Sequence, residues 1–339
     1  MKISRKYCTC DAFSKSNIEM PPGKEKFRSW IPHGFDFLTP EESEKITDLS
    51  AHIRKELKDS GYREIIPPMF DFYQTFQITT RQAASLSDNP VFEVKDSTGE
   101  VLAVRSDLTV QAVKAAASGR LGREFPMNLF YIQSVFHDKD WGAGRKREIL
   151  QAGVEIIGEK KNGRFSEILE LAKKIITAHT SAPSILYGDV RFINILFKDI
   201  HSDYRLELAE AFYRKDTSLI KGIAKKSGAD KKSQELLCEV PLIFGKKEAI
   251  AELKKLTGGH PGLLILLEEA EKIENVIYDF SLVRELSYYT GPVFEAYISP
   301  AREAVLTGGV YDNLFGEFSD HAKTACGFAM NLTVLSQYI

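Results

Sequence analysis

The sequence predicts an α+β fold in which an antiparallel sheet is flanked by helices and interrupted by a helical insertion. Residues 91–104 read as two short strands around the turn residues Asp96-Ser97-Thr98-Gly99, which favours a hairpin. Two longer strands are predicted at 129–136 and 147–157. The pattern is helical from 166 to about 273, and strand patterns then return. The sheet is therefore expected to take chain from both sides of the helices.

Composition excludes several classes of protein. The 339 residues are 43% hydrophobic and 27% charged with a net charge of -2, so the chain can bury a large core but lacks the excess of Lys and Arg typical of nucleic-acid binders. Its four cysteines fit neither zinc-ligand spacing nor a disulfide framework, and neither a metal nor a cofactor is predicted. Without a signal-like segment or an apolar run of about 18 residues, a cytoplasmic protein with no membrane contact is expected.

The chain is predicted to divide at about residue 28. Residues 1–28 are polar and lack periodicity, which indicates an extension, whereas 29–339 are predicted to form one domain. Thr39-Pro40-Glu41-Glu42 is typical of a helix start with a reciprocal capping box. The first helix is therefore predicted to begin here and to end near Gly61.

Further elements follow from the same patterns. A helix is predicted over Thr109 to Ala117, and the helical insertion is placed at about 190–273, after a short strand at 184–187. Later strands are predicted at 276–282, 293–298 and 328–332.

The strand at 147–157 has two unlike faces. Leu150, Ala152, Val154 and Ile156 alternate with a polar set comprising Arg147, Gln151 and Glu155. Polar groups on a central strand are costly to bury without partners. A ligand or a polar network is therefore expected over this face.

Several segments, in order over about residues 31–335, are similar to the class II histidyl-tRNA synthetase catalytic domain. Gly61 to Pro68 resembles class motif 1, and Phe130 to Gly158 can be laid on motif 2 without a gap. The remaining matches resemble histidine-binding segments: Val104 to Thr109, Ser281 to Gly291, and Gly308-Gly309-Val310-Tyr311-Asp312.

This resemblance implies a histidine-binding pocket. Asp107, Thr109 and Gln151 would hold the α-amino group, and Arg284 would face the carboxylate. The imidazole nitrogens would bond Glu155 and Tyr289, with Tyr311 along the ring. The chemistry is consistent, because an ammonium needs acceptors, a carboxylate prefers a fork of donors, and each ring nitrogen needs a partner.

Departures from the synthetase pattern argue against catalysis, and no catalytic residue is predicted. His137 stands where a synthetase presents an arginine to the ATP α-phosphate, with Lys139 in place of a glutamate. Thr333 and Val334 replace the Glu-Arg of motif 3. Losing one such cation contact typically costs about 3 kcal/mol of transition-state stabilisation. The sequence also ends directly after motif 3, so no anticodon-binding domain is expected.

A synthetase fold with these changes resembles the regulatory subunits of short-form ATP phosphoribosyltransferase. Phe212 to Asp216 and Val240 to Gly245 look like segments of that family. The resemblance implies a partner, the short catalytic subunit, which this chain would activate and place under feedback by L-histidine in the first step of histidine biosynthesis. It also implies a dimer through motif 1, with neither nucleic acid nor membrane as a partner.

Other interpretations stay open at this point. Glu155 and Arg284 could form an internal ion pair, Tyr288 rather than Tyr289 could face the pocket, and Gly308 could serve a tight turn. The lysines between 221 and 232 are most simply a solvated surface. A truncated histidyl-tRNA synthetase-like enzyme or amino-acid ligase, and a sensor of uncharged tRNA, are the competing functions.

Overall fold

The computed structural model describes residues 31–81, 91–138, 146–158, 164–282, 288–301 and 303–339. The strands are β1 Arg63–Glu64, β2 Phe70–Phe72, β3 Glu93–Lys95, β4 Val101–Val104, β5 Met127–Phe136, β6 Glu148–Ile157, β7 Ser184–Asp189, β8 Phe244–Gly245, β9 Ile277–Asp279, β10 Pro292–Tyr297, β11 Leu306–Val310 and β12 Ala325–Asn331. The helices are α1 Pro40–Asp59, α2 Tyr73–Arg81, α3 Leu108–Ala117, α4 Phe165–His179, α5 Val190–Leu196, α6 Ser202–Tyr213, α7 Thr217–Lys226, α8 Lys231–Glu239, α9 Lys247–Leu256, α10 Pro261–Ala270 and α11 Leu332–Leu335. Short 3-10 turns occupy Val240–Leu242 and Leu314–Glu317.

Two sheets organise the molecule, and the predicted α+β class is confirmed. The large sheet has the order β1-β5-β6-β12-β11-β10-β7-β9-β8, and the small one the order β2-β4-β3. The centre of the large sheet, β5-β6-β12-β11-β10-β7, is antiparallel as predicted. The pairs β1/β5 and β7/β9 are parallel, so the sheet as a whole is mixed.

Helix α1 begins as its sequence predicts. The Thr39 hydroxyl accepts from the Glu42 amide, while the Glu42 carboxylate accepts from the Thr39 amide at 2.8 Å. This reciprocal pair satisfies two amides that would otherwise have no partner at the helix start. Its buried face, which includes Ile46, Leu49 and Ile53, packs into the main core.

Strand β6 separates the core from the polar face of the sheet. Ala152, Val154 and Ile156 are buried in the main hydrophobic cluster, as the alternation predicts. Gln151 and Glu155 lie on the other face because successive side chains of a strand point to opposite sides. This second face carries the candidate site described below.

The helices between β7 and β9 contact the sheet through its far edge. The chain leaves β7, runs through α5 to α10, and returns as β9, which pairs in parallel with β7. Strand β8 comes from within this helical block and pairs with the outer side of β9. The described part of the chain contains no helix that could span a membrane.

Two local predictions are wrong. The strand predicted at 276–282 covers only Ile277–Asp279, because Asp279 ends it by accepting hydrogen bonds from the Ser281 amide and hydroxyl. Gly308 and Gly309 lie inside β11 and not in a tight turn. A β-carbon on Gly308 would lie 2.6 Å from the Gly327 carbonyl oxygen, so close packing explains this glycine.

Candidate functional site

The polar face of the large sheet contains a row of glycines beside one buried acid. Strand pairing places Glu155 next to Gly327, Gly327 next to Gly309, and Gly309 next to Val293. Because paired residues in register share a face of the sheet, this row runs directly across β6, β12, β11 and β10. Two adjacent positions without side chains leave a shallow floor next to the Glu155 carboxyl group.

Glu155 lies at one end of this floor and is only 1% exposed. Its Oε1 accepts hydrogen bonds from the Thr109 hydroxyl at 2.7 Å and the Tyr131 hydroxyl at 3.0 Å. Burial raises the pKa of Glu155 well above its usual range, although these two hydrogen bonds act in the opposite direction. Its Oε2 has no hydrogen-bond partner among the residues that the structure describes.

The start of α3 supplies a second acid. Asp107 is the N-cap residue, and its Oδ1 accepts from the amides of Thr109 at 2.8 Å and Val110 at 3.4 Å. Burial raises the pKa of Asp107 to about 6, against the lowering effect of these amides and of the Tyr288 hydroxyl. Its Oδ2 is buried and has no partner within the described ranges.

Three tyrosines close the site from the opposite side. The ring centroids of Tyr288 and Tyr289 are 5.0 Å apart, and those of Tyr288 and Tyr311 are 5.5 Å apart. A β-carbon on Gly309 would lie 2.7 Å from the Tyr289 ring, so this ring rests on the glycine floor. The hydroxyl of Tyr311 is buried and has no partner in the described part of the chain.

Gly327 lies between Glu155 and Tyr311, two of the groups without a hydrogen-bond partner in the described ranges. A β-carbon there would overlap the Glu155 carboxyl group and the Val154 carbonyl oxygen, and would lie 2.5 Å from the Tyr311 hydroxyl. Glu155 and Tyr311 therefore present an acceptor and a hydroxyl to the same small volume. Glu155 Oε2 and the Tyr311 hydroxyl both lie within 2.5 Å of the position of that β-carbon, so a single donor group of a ligand, such as a ring N–H, can meet Glu155 there with Tyr311 beside it.

The structure brings together most of the residues named from the sequence. Asp107, Thr109, Glu155 and Tyr311 lie around the glycine floor, with Tyr289 against Gly309. Gln151 lies on the same face of β6, two alternate positions from Glu155, between Gln133 of β5 and Asn331 of β12. Arg284 lies outside the described residues.

Sequence reasoning missed Tyr131 and Tyr288. Tyr131 is fully buried and bonds Glu155, and its ring covers Gly153, where a β-carbon would overlap it. Two features of the sequence could have indicated Tyr131: the alternation of side chains along β5, and Gly153 on the neighbouring central strand. Tyr288 is buried, and its hydroxyl lowers the pKa of Asp107. Choosing between adjacent tyrosines by alternation fails because both are buried.

The other end of β6 is occupied by side chains that bond one another. Arg147 forms an ion pair with Asp138 and donates to the His137 carbonyl oxygen at 3.2 Å. Its guanidinium carbon lies 4.5 Å from the ring centroid of Phe92 and 5.7 Å from that of Phe35. Lys139 lies outside the described residues.

Motif 3 ends in the short helix α11 next to this region. The Thr333 hydroxyl accepts from the Leu150 amide at 2.8 Å, which ties α11 to β6. Val334 packs against the main core. Within the residues described, no group of three or more His, Cys, Asp or Glu side chains is placed to hold a metal ion.

Comparisons with known proteins agree on one family. Residues 34–335 match the model of the histidyl-tRNA synthetase family. A protein of Leptospira interrogans called "ATP phosphoribosyltransferase regulatory subunit" is 34% identical over 94% of this chain and 96% of its own length. A protein of the same name from Carboxydothermus hydrogenoformans is 29% identical over 91% and 96%.

Solved structures share the fold. An "ATP phosphoribosyltransferase regulatory subunit/histidyl-tRNA synthetase" from Bacillus halodurans superimposes with a TM-score of 0.80 and 25% identity, over 93% of this chain and 84% of that one. Histidyl-tRNA synthetase from Nostoc gives a TM-score of 0.75 at 19% identity, over 92% and 75%. The second likeness is one of fold alone.

Proposed function

Because this chain belongs to the histidyl-tRNA synthetase family and, within it, to the regulatory subunits of ATP phosphoribosyltransferase, we propose that it binds L-histidine and controls a separate catalytic subunit. The catalytic partner is the short form of the enzyme, which acts in the cytoplasm on the first step of histidine biosynthesis. This chain itself carries out no chemistry. It activates its partner and transmits inhibition by histidine.

One observation carries the histidine assignment: buried oxygens of Glu155, Tyr311 and Asp107 have no hydrogen-bond partner among the described residues, and they lie around a floor of glycines. Leaving such groups unpaired typically costs about 1–3 kcal/mol each, so a ligand that satisfies them binds with a matching gain. In the proposed pose one ring N–H of the imidazole donates to Glu155 next to Gly327, and Tyr311 lies along the ring. The ammonium group meets Asp107 and Gln151, and Arg284 meets the carboxylate.

The pose assigns Thr109 a different part from the one its motif suggests. Its hydroxyl hydrogen is directed at Glu155, at 2.7 Å, so it holds the acid in place. The hydroxyl oxygen keeps acceptor capacity for the ligand ammonium group. Thr109 thus links the two ends of the ligand, and Tyr289 covers the ring from the side of Gly309.

Regulation requires that histidine bind one state of the complex better than another, since equal affinity would shift no equilibrium. Strands β6, β11 and β12 carry the proposed pocket on one face and main-core side chains on the other. Closure of the pocket around a ligand therefore acts directly on the centre of the domain.

Co-expression with the catalytic subunit tests the proposal. The catalytic chain is expected to be inactive or weakly active alone, and to become active and histidine-sensitive when this chain is added. Equal activity and equal sensitivity without it would refute the assignment. Histidine-dependent pyrophosphate exchange by the purified chain would instead support the competing ligase, and a gel shift with tRNA at physiological salt would support the sensor.

We also propose self-association through the motif 1 segment and the residues that directly follow it. Residues 66–72 expose a run of large apolar side chains: Ile66 at 74%, Phe72 at 51%, Met69 at 47% and Phe70 at 44%. Such a contiguous patch is uncommon on a monomer. The substitution Ile66→Asp is expected to convert the dimer to a monomer, as measured by analytical sedimentation. The control Ile265→Asp, at an exposed position of α10, is expected to leave the dimer intact.

A further inference from the structure

The region from Arg214 to Gly258 differs in charge from the rest of the molecule. It contains 11 Lys and Arg residues against 6 Asp and Glu residues, although the whole chain has a net charge of -2. We call this region the basic lobe. It comprises helices α7, α8 and α9, the 3-10 turn at Val240–Leu242, and strand β8.

Large apolar side chains are exposed in and beside the basic lobe. Phe244 on β8 is 60% exposed, and the neighbouring Leu242 is 51% exposed. Tyr213, at the end of α6, and Leu219, in the first turn of α7, are also exposed. Exposed aromatic and aliphatic groups surrounded by charge are typical of protein interfaces, where a few such anchors provide most of the affinity.

Lys215 fixes the geometry of this surface. Its ammonium group donates to the Pro241 carbonyl oxygen and to Asp279 Oδ2, both at 2.8 Å, and lies 4.6 Å from the ring centroid of Phe244. The turn after α6 is therefore held against the segment 241–244. Phe244 lies at this junction, and Tyr213 precedes Lys215 by two residues in the chain.

Strand β8 adds an edge of the large sheet to the same surface. Phe244 and Gly245 pair with β9 on one side, and among the described residues no strand pairs with the other. Lys246 and Lys247 follow directly and are exposed. Glu248 comes next, and Lys247 lies 3.7 Å from Glu274, so the positive excess belongs to the basic lobe as a whole and not to these two lysines alone.

We propose that the basic lobe, with Phe244 and Leu242 as its apolar anchors, is the docking surface for an acidic face of the catalytic subunit. This inference rests on the proposed function, which requires a surface for that partner. The single charged residue of the apolar patch at 66–72, Asp71, is paired with Lys114, and this patch fits a second copy of this chain. The basic lobe instead favours a partner of opposite charge, because charge complementarity steers association and rejects other partners.

The same contacts connect the docking surface with the proposed histidine pocket. Asp279 accepts from Lys215 with one oxygen and from the Ser281 amide and hydroxyl with the other. Leu282, the next residue, packs in one cluster with Tyr288, Tyr289 and Tyr311. A partner that shifts Phe244 and Lys215 therefore acts on the segment that leads to the pocket tyrosines.

Binding of the purified catalytic subunit to variants of this chain tests the surface. Lys246→Glu with Lys247→Glu is expected to weaken binding at least about tenfold at low salt and to make the affinity less salt-dependent, because fewer attractive charges are screened. Phe244→Ala is expected to weaken binding about 30-fold at any salt concentration. The matched control is Lys55→Glu with Lys174→Glu, two exposed lysines on α1 and α4 that each have one acidic partner, and it leaves affinity unchanged.

The outcomes separate the two proposals. Wild-type protein that does not bind the catalytic subunit refutes the proposed function. Wild-type protein that binds while the lobe variants bind equally well refutes the docking surface alone. Binding of tRNA that is lost in the charge reversal, with catalytic-subunit binding retained, would assign the lobe to nucleic acid and would also refute the surface. Unchanged histidine titration shows that each variant is folded.

Discussion

The two ends of strand β6 differ in whether their polar groups have partners. Near its C-terminal end, Glu155 and the residues around it leave three buried oxygens unpaired among the described residues. Near its N-terminal end, Arg147 bonds Asp138 and the His137 carbonyl oxygen and lies against the rings of Phe35 and Phe92. We propose a ligand at the first end, whereas the polar groups at the second end are satisfied by the protein itself.

This difference separates the amino-acid function of the fold from its nucleotide chemistry. Unpaired buried groups destabilise a protein, so they are retained where a ligand uses them. Groups that bond one another can remain after a function is lost, because breaking the set would itself destabilise the fold. The comparison predicts that changes near Glu155 affect histidine binding strongly, and that nucleotide has little effect on the other end.

The largest effect is expected from Gly327→Ala. Its β-carbon would overlap the Glu155 carboxyl group and lie 2.5 Å from the Tyr311 hydroxyl, which fills the space assigned to the imidazole. Histidine binding, measured by isothermal titration, is expected to weaken more than about 100-fold, together with a loss of thermal stability. Gly316→Ala is the control, because nothing lies within 4 Å of its β-carbon. Retained affinity in Gly327→Ala would place the ligand elsewhere.

The next largest effect is expected from Glu155→Gln, which should weaken histidine binding but stabilise the ligand-free protein. The amide keeps an acceptor for Thr109 and Tyr131 but loses the charge, so histidine affinity is expected to fall about 30-fold. Without ligand the variant is expected to be more stable than wild type, by about 1 kcal/mol or roughly 2 °C in Tm.

The pH dependence of that stability follows from the direction of the pKa shift. Burial raises the folded pKa of Glu155 above its unfolded value. The stability contributed by the protonated acid is therefore present at low pH and is lost as pH rises above the unfolded value near about 4.3. The Tm advantage of Glu155→Gln should consequently grow with pH in ligand-free protein. A constant difference would mean that Glu155 does not titrate in this way.

Part of this contrast was predictable from the sequence, and part was not. The alternation of Ala152, Val154 and Ile156 with Gln151 and Glu155 predicts the two faces of β6, and the capping residues predict where α1 begins. These are local patterns, set by the geometry of one element. The family and its fold followed from the order of the motifs.

The rest of the site depends on contacts between distant elements. The sequence predicts Tyr311 as a site residue, but Gly327 and Tyr311 meet Glu155 only because β12 pairs with β6 and β11 pairs with β12. No local pattern reveals that pairing, and for the same reason Gly308 was assigned to a turn. Likewise, Arg147 bears a charge expected of a ligand contact, and only the positions of Phe35, Phe92 and Asp138 reveal that protein groups hold it.

A smaller effect is expected from pH on histidine binding. The ammonium group of the ligand requires Asp107 as a carboxylate, and burial raises the pKa of that group to about 6. Affinity should therefore rise with pH up to about 6 and level off above 7, with a slope of up to about tenfold per pH unit below 6. Protonation of free histidine adds to this slope. The part of the pH dependence that Asp107 causes is expected to disappear in Asp107→Asn. If affinity depends on pH equally in that variant and in the wild type, Asp107 is not part of the site.

The smallest effect is expected from nucleotide. A histidine concentration of about 100 times its Kd should stabilise the wild-type protein by about 2.7 kcal/mol in thermal denaturation. MgATP at the same concentration is expected to leave Tm unchanged, because Arg147 is already bonded to Asp138 and Val334 offers no charge to a phosphate. Arg147→Ala serves as the matched variant. A rise in Tm with MgATP that this variant abolishes would show that the N-terminal end of β6 still binds nucleotide, and the contrast between the two ends would then be one of degree.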